Sequence, residues 1–99
     1  MRKALTTAVV KEALRAVLTE VQEASGNAVP ELTDDLRPIG EAAGFDSLMG
    51  VEAAVMLEER LGVELRVEDV FASTEDLRAR SIAEIADRIV GDVSEGAKP

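Results

Sequence analysis

The stretch from Gly44 to Leu61 constrains this chain more than any other. Gly44-Phe45-Asp46 reads as a turn, and an apolar-rich run follows from Ser47 through Leu48, Val51, Val55 and Leu57 to Leu61. The run predicts one helix of about four turns over Ser47 to Leu61. Asp46 or Ser47 is placed to cap it, since either side-chain oxygen can accept from an orphan backbone N–H. At about 100° per residue, Gly50, Ala53, Ala54, Leu57 and Leu61 share one side and form the expected core face. Leu48, Val51, Glu52, Val55, Glu58 and Glu59 share another side, nearer Ser47. Apolar anchors ringed by carboxylates beside a serine have the make-up of a docking surface. A capped amphipathic helix with a few exposed valines has the same pattern.

A core face of Ala, Gly and Leu needs other helices to pack against. Phe45 and Phe71 are the only aromatic residues, so the core is expected to be aliphatic. The 99 residues, 46% of them hydrophobic, suffice for one core. Helix one is predicted from about Thr6 to Ala24, because Val10, Ala13, Leu14, Val17, Leu18 and Val21 recur at helical spacing. Lys11 and Arg15 fall on its wet face as a mildly unfavourable i,i+4 pair of like charges. Ser25-Gly26-Asn27 ends it. A long connection to Phe45 follows, in which Pro30 and Pro38 are expected to break any helix. Leu32, Leu36 and Ile39 are the expected tethers. Such a loop inside a compact domain is normally functional or tied down.

Gly62 is the predicted stop of the central helix. Val63 to Val67 alternates, but with no second strand to pair it reads as an extended connector. Glu68-Asp69-Val70-Phe71 is expected to form a short helix of one or two turns, its two acids suiting the dipole. In the link from Ala72 to Arg80, Ser73 or Thr74 is a possible start for an extra helical turn. Ser81-Ile82-Ala83-Glu84 is a capping box. It opens a last helix expected to reach Val90 or Gly91, with a frayed tail over residues 92–99. Gly50, costly in a helix interior by about 1 kcal/mol, has two readings. It allows close packing of the first loop, or it leaves an opening beside the serine.

The chain has no cysteine and no histidine, which removes disulfides, thiolate chemistry, histidine-assisted nucleophiles and most zinc sites. Ser47 as a catalytic nucleophile would need a base, and the lysines stand only at positions 3, 11 and 98. Self-contained enzymology is therefore not expected. Glu31, Asp34 and Asp35 match no standard calcium loop and read as a solvated turn, so no metal site is expected. The formal net charge is −9, from 20 acidic and 11 basic residues. That field opposes binding to nucleic acid or an anionic membrane and favours partners with basic patches. No signal peptide or apolar span is apparent, so the expectation is a cytoplasmic monomer.

The Gly44-Phe45-Asp46-Ser47-Leu48 segment and the helix after it resemble the acyl carrier protein family, which includes the peptidyl carriers. The resemblance covers about Thr6 to Val90. It implies an all-α fold: a four-helix carrier bundle with a long first loop and a short third helix, making a single domain over residues 1–99 with its core over 6–90. It implies that Ser47 receives a 4′-phosphopantetheine arm from coenzyme A, that thioesters ride on its thiol, and that Asp46 assists the transferring enzyme. It implies a docking face of Leu48, Val51, Glu52, Val55, Glu58 and Glu59. The partners would be a phosphopantetheinyl transferase, an acyl-loading enzyme, and a ketosynthase or other synthase enzymes. The expected role is a stand-alone, non-catalytic carrier of acyl intermediates in fatty acid or polyketide-type synthesis. The alternatives are an aminoacyl or peptidyl carrier, or an unmodified scaffold. The link of residues 72–80 is longer than the family's usual passage into the last helix, which puts the third helix in question.

Overall fold

A computed structural model describes residues 5–75 and 77–96. Its elements are α1 (Thr7–Ala24), α2 (Pro38–Glu41), α3 (Ser47–Leu61), a 3-10 turn (Val67–Asp69) and α4 (Ile82–Gly96). The fold is all-helical, as expected. The only sheet-like feature among the described residues is one isolated bridge between Ala72 and Ala79.

α1 lies against both α3 and α4. Its predicted stripe of Val10, Ala13, Leu14, Val17, Leu18 and Val21 is buried, and Gln22 is buried with it. Thr6 caps its start by accepting from Val9 N–H. At its end Asn27 N–H donates to the Gln22 carbonyl and Gly26 N–H to that of Glu23. That reciprocal pattern, with Gly26 at φ +74°, satisfies carbonyls the helix would otherwise leave unpaired. From α3 the core receives Ala53, Ala54 and Leu57, and from α4 Ile82, Ile85, Ala86 and Ile89. Leu61, expected in the core, is only half-buried at its edge. The two phenylalanines meet inside this aliphatic core, with ring centroids 5.4 Å apart.

The long connection departs from expectation at Pro38, which opens a helical turn rather than preventing one. The turn is closed by Glu41 N–H to the Arg37 carbonyl and Ala42 N–H to that of Pro38. Proline suits a first helical position because its missing N–H would have no partner there. The turn goes no further because Ile39 and Gly40 leave helical dihedrals. Leu32, Leu36 and Ile39 pack on the core as predicted. The carbonyls of Leu36 and Asp34 accept from Ile82 and Ala83 N–H, at 2.9 and 3.0 Å. The first loop thus serves orphan donors at the start of α4. Lys11 and Arg15, read as a repelling pair, both bind the Asp34 carboxylate at 2.9 and 2.8 Å.

Further expectations are refined or corrected. The short helix after α3 is present as a single 3-10 turn, Val67–Asp69, one residue earlier than expected, so that Asp69 ends it. Asp69 is buried, accepting from Thr74 N–H at 2.9 Å and pairing with Arg88 at 2.6 Å. In the 72–80 link one isolated turn does start at Ser73, whose carbonyl accepts from Leu77 N–H at 2.9 Å, and it goes no further, Leu77 standing at φ +58°. Ser73 N–H donates to the Arg78 carbonyl and Arg80 N–H to that of Phe71, so the chain doubles back on itself. α4 passes through Gly91 to Gly96, because Val93 continues the buried stripe and Arg88 pairs with Asp92 one turn on at 3.3 Å. Residues 97–99 of the expected tail lie outside the described residues. The capping box forms as predicted: Ser81 N–H to Glu84 Oε1 at 2.8 Å, and Glu84 N–H to Ser81 Oγ at 3.2 Å.

These contacts set the acid response. Lys11 and Arg15 hold the Asp34 carboxyl below its usual range despite some desolvation. Burial pushes Asp69 up, but Thr74, Arg80 and Arg88 outweigh it and leave it lowered. Ser81 N–H and Arg37 lower Glu84. A carboxyl whose folded pKa is depressed adds stability above its unfolded value and loses it as pH falls through the folded one. The unfolded values are 3.8 for the two aspartates and 4.5 for Glu84, and no histidine titrates higher. The urea midpoint should therefore be flat from about pH 6 to 8 and fall below about pH 4.5. Asp69→Asn should lower the plateau and flatten the acid limb. An unchanged limb in that variant would remove Asp69 from this account.

Candidate functional site

The site forms where the first loop becomes α3. Phe45 is buried and anchors the loop against Phe71. One residue on, Asp46 turns outward with extended dihedrals, and its Oδ1 accepts from Met49 N–H at 2.9 Å. Sequence left the cap open between Asp46 and Ser47; the structure assigns it to Asp46. Ser47 is thereby freed of structural duty. It is the first residue of α3 and exposed. No acidic residue stands in the first turn of α3.

Two glycines shape the ground beneath it. Gly44 has φ +69°, and a Cβ there would lie 2.6 Å from the Asn27 side-chain nitrogen. No other residue fits that turn without moving Asn27. Gly50 faces the core, where a Cβ would sit 3.3 Å from Phe71 Cβ and 3.4 Å from Ile39 Cδ1. Of its two readings, close packing is the one realised.

The docking-face residues do not all stand alike. Leu48 is 67% exposed and Val55 40%. Glu52 and Glu59 are exposed, and Val51 is half-buried. Glu58 differs. It is half-buried, and its Oε2 accepts from Leu65 N–H at 2.7 Å. Its own carbonyl accepts from Gly62 and Val63 N–H at 2.8 and 3.2 Å. Glu58 therefore locks the exit of α3 to the connector, a role its place on the helical wheel does not reveal. Gly62 closes the helix with φ +71° as predicted.

Of the carboxylates imagined around a cation, Asp34 is committed to Lys11 and Arg15, and no metal-holding group of His, Cys, Asp or Glu occurs among the described residues. None of the described helices is long and apolar enough to cross a membrane. Sequence reasoning missed Gln22, which donates from Nε2 to the carbonyls of Ala28 and Ala43 at 2.9 and 2.8 Å. A glutamine next to Val21 and four residues after Leu18 on the apolar stripe was the available signal.

The site is thus an exposed serine opening a helix on a small all-helical platform. A family model for the phosphopantetheine attachment site matches residues 15–89. The chain belongs to that family. No curated protein and no solved structure gave a match. Domains of this family take a covalent 4′-phosphopantetheine group and meet a phosphopantetheinyl transferase and synthase enzymes. The residues present suit such a group. A phosphate joined to Ser47 Oγ would sit at the positive end of the α3 dipole, beside the Asp46 carboxylate that already takes the Met49 N–H.

The difference between the two neighbouring glutamates is measurable. Glu58→Lys removes the acceptor of Leu65 N–H and should cost about 1 kcal/mol. Glu59→Lys, on an exposed position, should stay within about 0.5 kcal/mol. Urea unfolding of the two variants makes the comparison, and equal midpoints would show that the Leu65 contact contributes nothing.

Proposed function

We propose that Ser47 is the residue that carries the 4′-phosphopantetheine arm, and that the chain works as an acyl carrier protein in fatty acid or polyketide-type synthesis. The observation that carries the reading is Ser47 itself, exposed at the first position of α3 with its cap supplied by Asp46. A carrier serine needs access, not activation, because the transferring enzyme supplies the base. With no histidine in the chain, that division of labour also accounts for what the site lacks. The arm's terminal thiol holds the load as a thioester, which the carrier presents and does not transform. Asp46 is exposed, and its cap uses only Oδ1, which supports a second role toward the transferase.

The docking face is read on the same footing. Leu48, Val51 and Val55 offer apolar anchors beside Ser47, with Glu52 and Glu59 around them; Glu58 contributes charge from a tethered position. From Pro38 to Glu59 the chain holds five acids and no Lys or Arg. Such a face steers basic partners at long range and releases them readily, since exposed charge pairs are weak and screened by salt. Phe45 before the motif and this acidic helix favour an acyl load over an aminoacyl one.

Ser47→Ala should leave the fold intact, because Asp46 is the cap and alanine is a good helix former. After incubation with coenzyme A and a broad-specificity transferase, the parent should gain the mass of one arm and the variant none. A gain in the variant would place the site elsewhere, and no gain in the parent would favour an unmodified scaffold. Loading the modified parent with acyl-transferring or aminoacylating enzymes then separates acyl from peptidyl carriage.

Reversing Glu52 and Glu59 to Lys should slow modification at low salt, with the deficit shrinking as salt rises. Val51→Asp should produce a deficit that persists at high salt, since it removes an apolar anchor. Modification rate against ionic strength, with helicity followed by circular dichroism, makes the test. Unchanged rates in both folded variants would mean that docking occurs elsewhere.

A further inference from the structure

Gln22 is 1% exposed, in the last turn of α1. Its single NH2 group holds both stems of the first loop, one hydrogen to the Ala28 carbonyl at 2.9 Å and the other to Ala43 at 2.8 Å. The loop is pinched at its base by one side chain. The same end of α1 grips the chain a second time. Asn27, whose N–H is held by the Gln22 carbonyl, lies against Gly44 so closely that no Cβ fits between them. Ala43 and Gly44 are thus fixed to α1 immediately before Phe45, Asp46 and Ser47.

The amide is an inefficient way to gain stability. Its Oε1 is buried and has no hydrogen-bond partner among the described residues, so the benefit of two donated bonds is offset by an acceptor with no protein partner there. An apolar residue of equal length would avoid that penalty. It would, however, leave the Ala28 and Ala43 carbonyls without that donor, and it would lose direction, because only a paired donor selects one arrangement of both stems.

We propose that Gln22 is a positioning residue for modification at Ser47: its amide clamps the chain at Ala43 and so fixes how the serine is presented to the transferring enzyme. The proposal rests on Ser47 being the attachment residue, and the experiment separates the two. Gln22→Met keeps length and burial and removes both donors. With the clamp gone, residues 43–49 sample several arrangements, and the transferase engages only the competent fraction. KM for the carrier should then rise about tenfold with kcat little changed. Amide exchange at residues 43–49 should quicken by a similar factor while α4 is unaffected, and the thermal midpoint should stay within about 5 °C. Ile89→Val in α4 is the control, lowering global stability without touching exchange at 43–49 or KM. Unchanged exchange and KM in folded Gln22→Met would overturn the proposal. If that variant loses its helicity, Gln22→Glu decides. Its carboxyl can donate only when protonated, so exchange at 43–49, corrected for intrinsic rates, should rise from pH 5 to pH 8 relative to α4. A parallel course in the two segments would equally overturn the clamp. If the parent itself takes no arm at Ser47, the attachment reading fails, while the exchange measurements still judge the clamp.

Discussion

Every buried backbone polar group needs a partner, and in this chain that requirement weighs most on the connection between α1 and α3. The connection has no regular structure beyond the turn at Pro38, yet it must hold the start of α3 in one place. It does so by borrowing. Its Leu36 and Asp34 carbonyls receive donors from the first turn of α4. Arg15 Nε donates to the Leu32 carbonyl at 2.9 Å, and Gln22 holds Ala28 and Ala43. Each contact serves both sides: the loop gains order, and a helix end or a long side chain gains partners for its donors. The apolar tethers alone would bury the loop without choosing its path.

The same economy governs charge. Lys11 and Arg15 go to Asp34, Arg37 to Glu84, Arg60 to Glu20, and Arg88 to Asp69 and Asp92. These cations tie loops and helices together within the domain, and none of them comes from the stretch between Pro38 and Glu59. Exposed pairs of this kind are individually worth at most about 1 kcal/mol. Their larger effect is on the field. With much of the positive charge engaged elsewhere, the acids between Pro38 and Glu59 form no ion pair among the described residues, and they weigh on the sign of the surface that a partner would meet.

Sequence showed most clearly those parts of the fold whose causes are local. The limits of α3, its glycine stop, the buried stripe of α1 and the capping box at Ser81 all follow from periodicity or from residues within a turn of each other. The parts it did not show depend on distant partners. Asp69 looked like a dipole-complementing acid because Arg88 is far along the chain. Glu58 looked like its exposed neighbour Glu59 because the wheel angle carries no information about Leu65 N–H. The 72–80 link looked able to start a helical turn, and one closes at Ser73, but nothing local announces the bond from Arg80 N–H to the Phe71 carbonyl that folds the link back. At the candidate site, Ser47 and Asp46 were legible as types at a helix start, but which of them caps it was not. That choice rests on the extended dihedrals of Asp46, which the turn through Gly44 and Phe45 sets up.

Gly50 brings these strands together. A glycine in a helix interior costs about 1 kcal/mol, and alone it could serve either an opening or a close approach. Phe71 and Ile39 occupy the space a side chain would take, one from the segment after α3 and the other from the first loop. Phe71 in turn meets Phe45, the residue that leads into Asp46 and Ser47. The missing side chain thus lets two segments from opposite ends of α3 converge beneath its first turn. The serine is exposed, but the backbone under it is braced by the two aromatic rings and the first loop. On the role proposed for Ser47, this separates two demands: the hydroxyl is left free, while the turn that aims it is held by buried contacts.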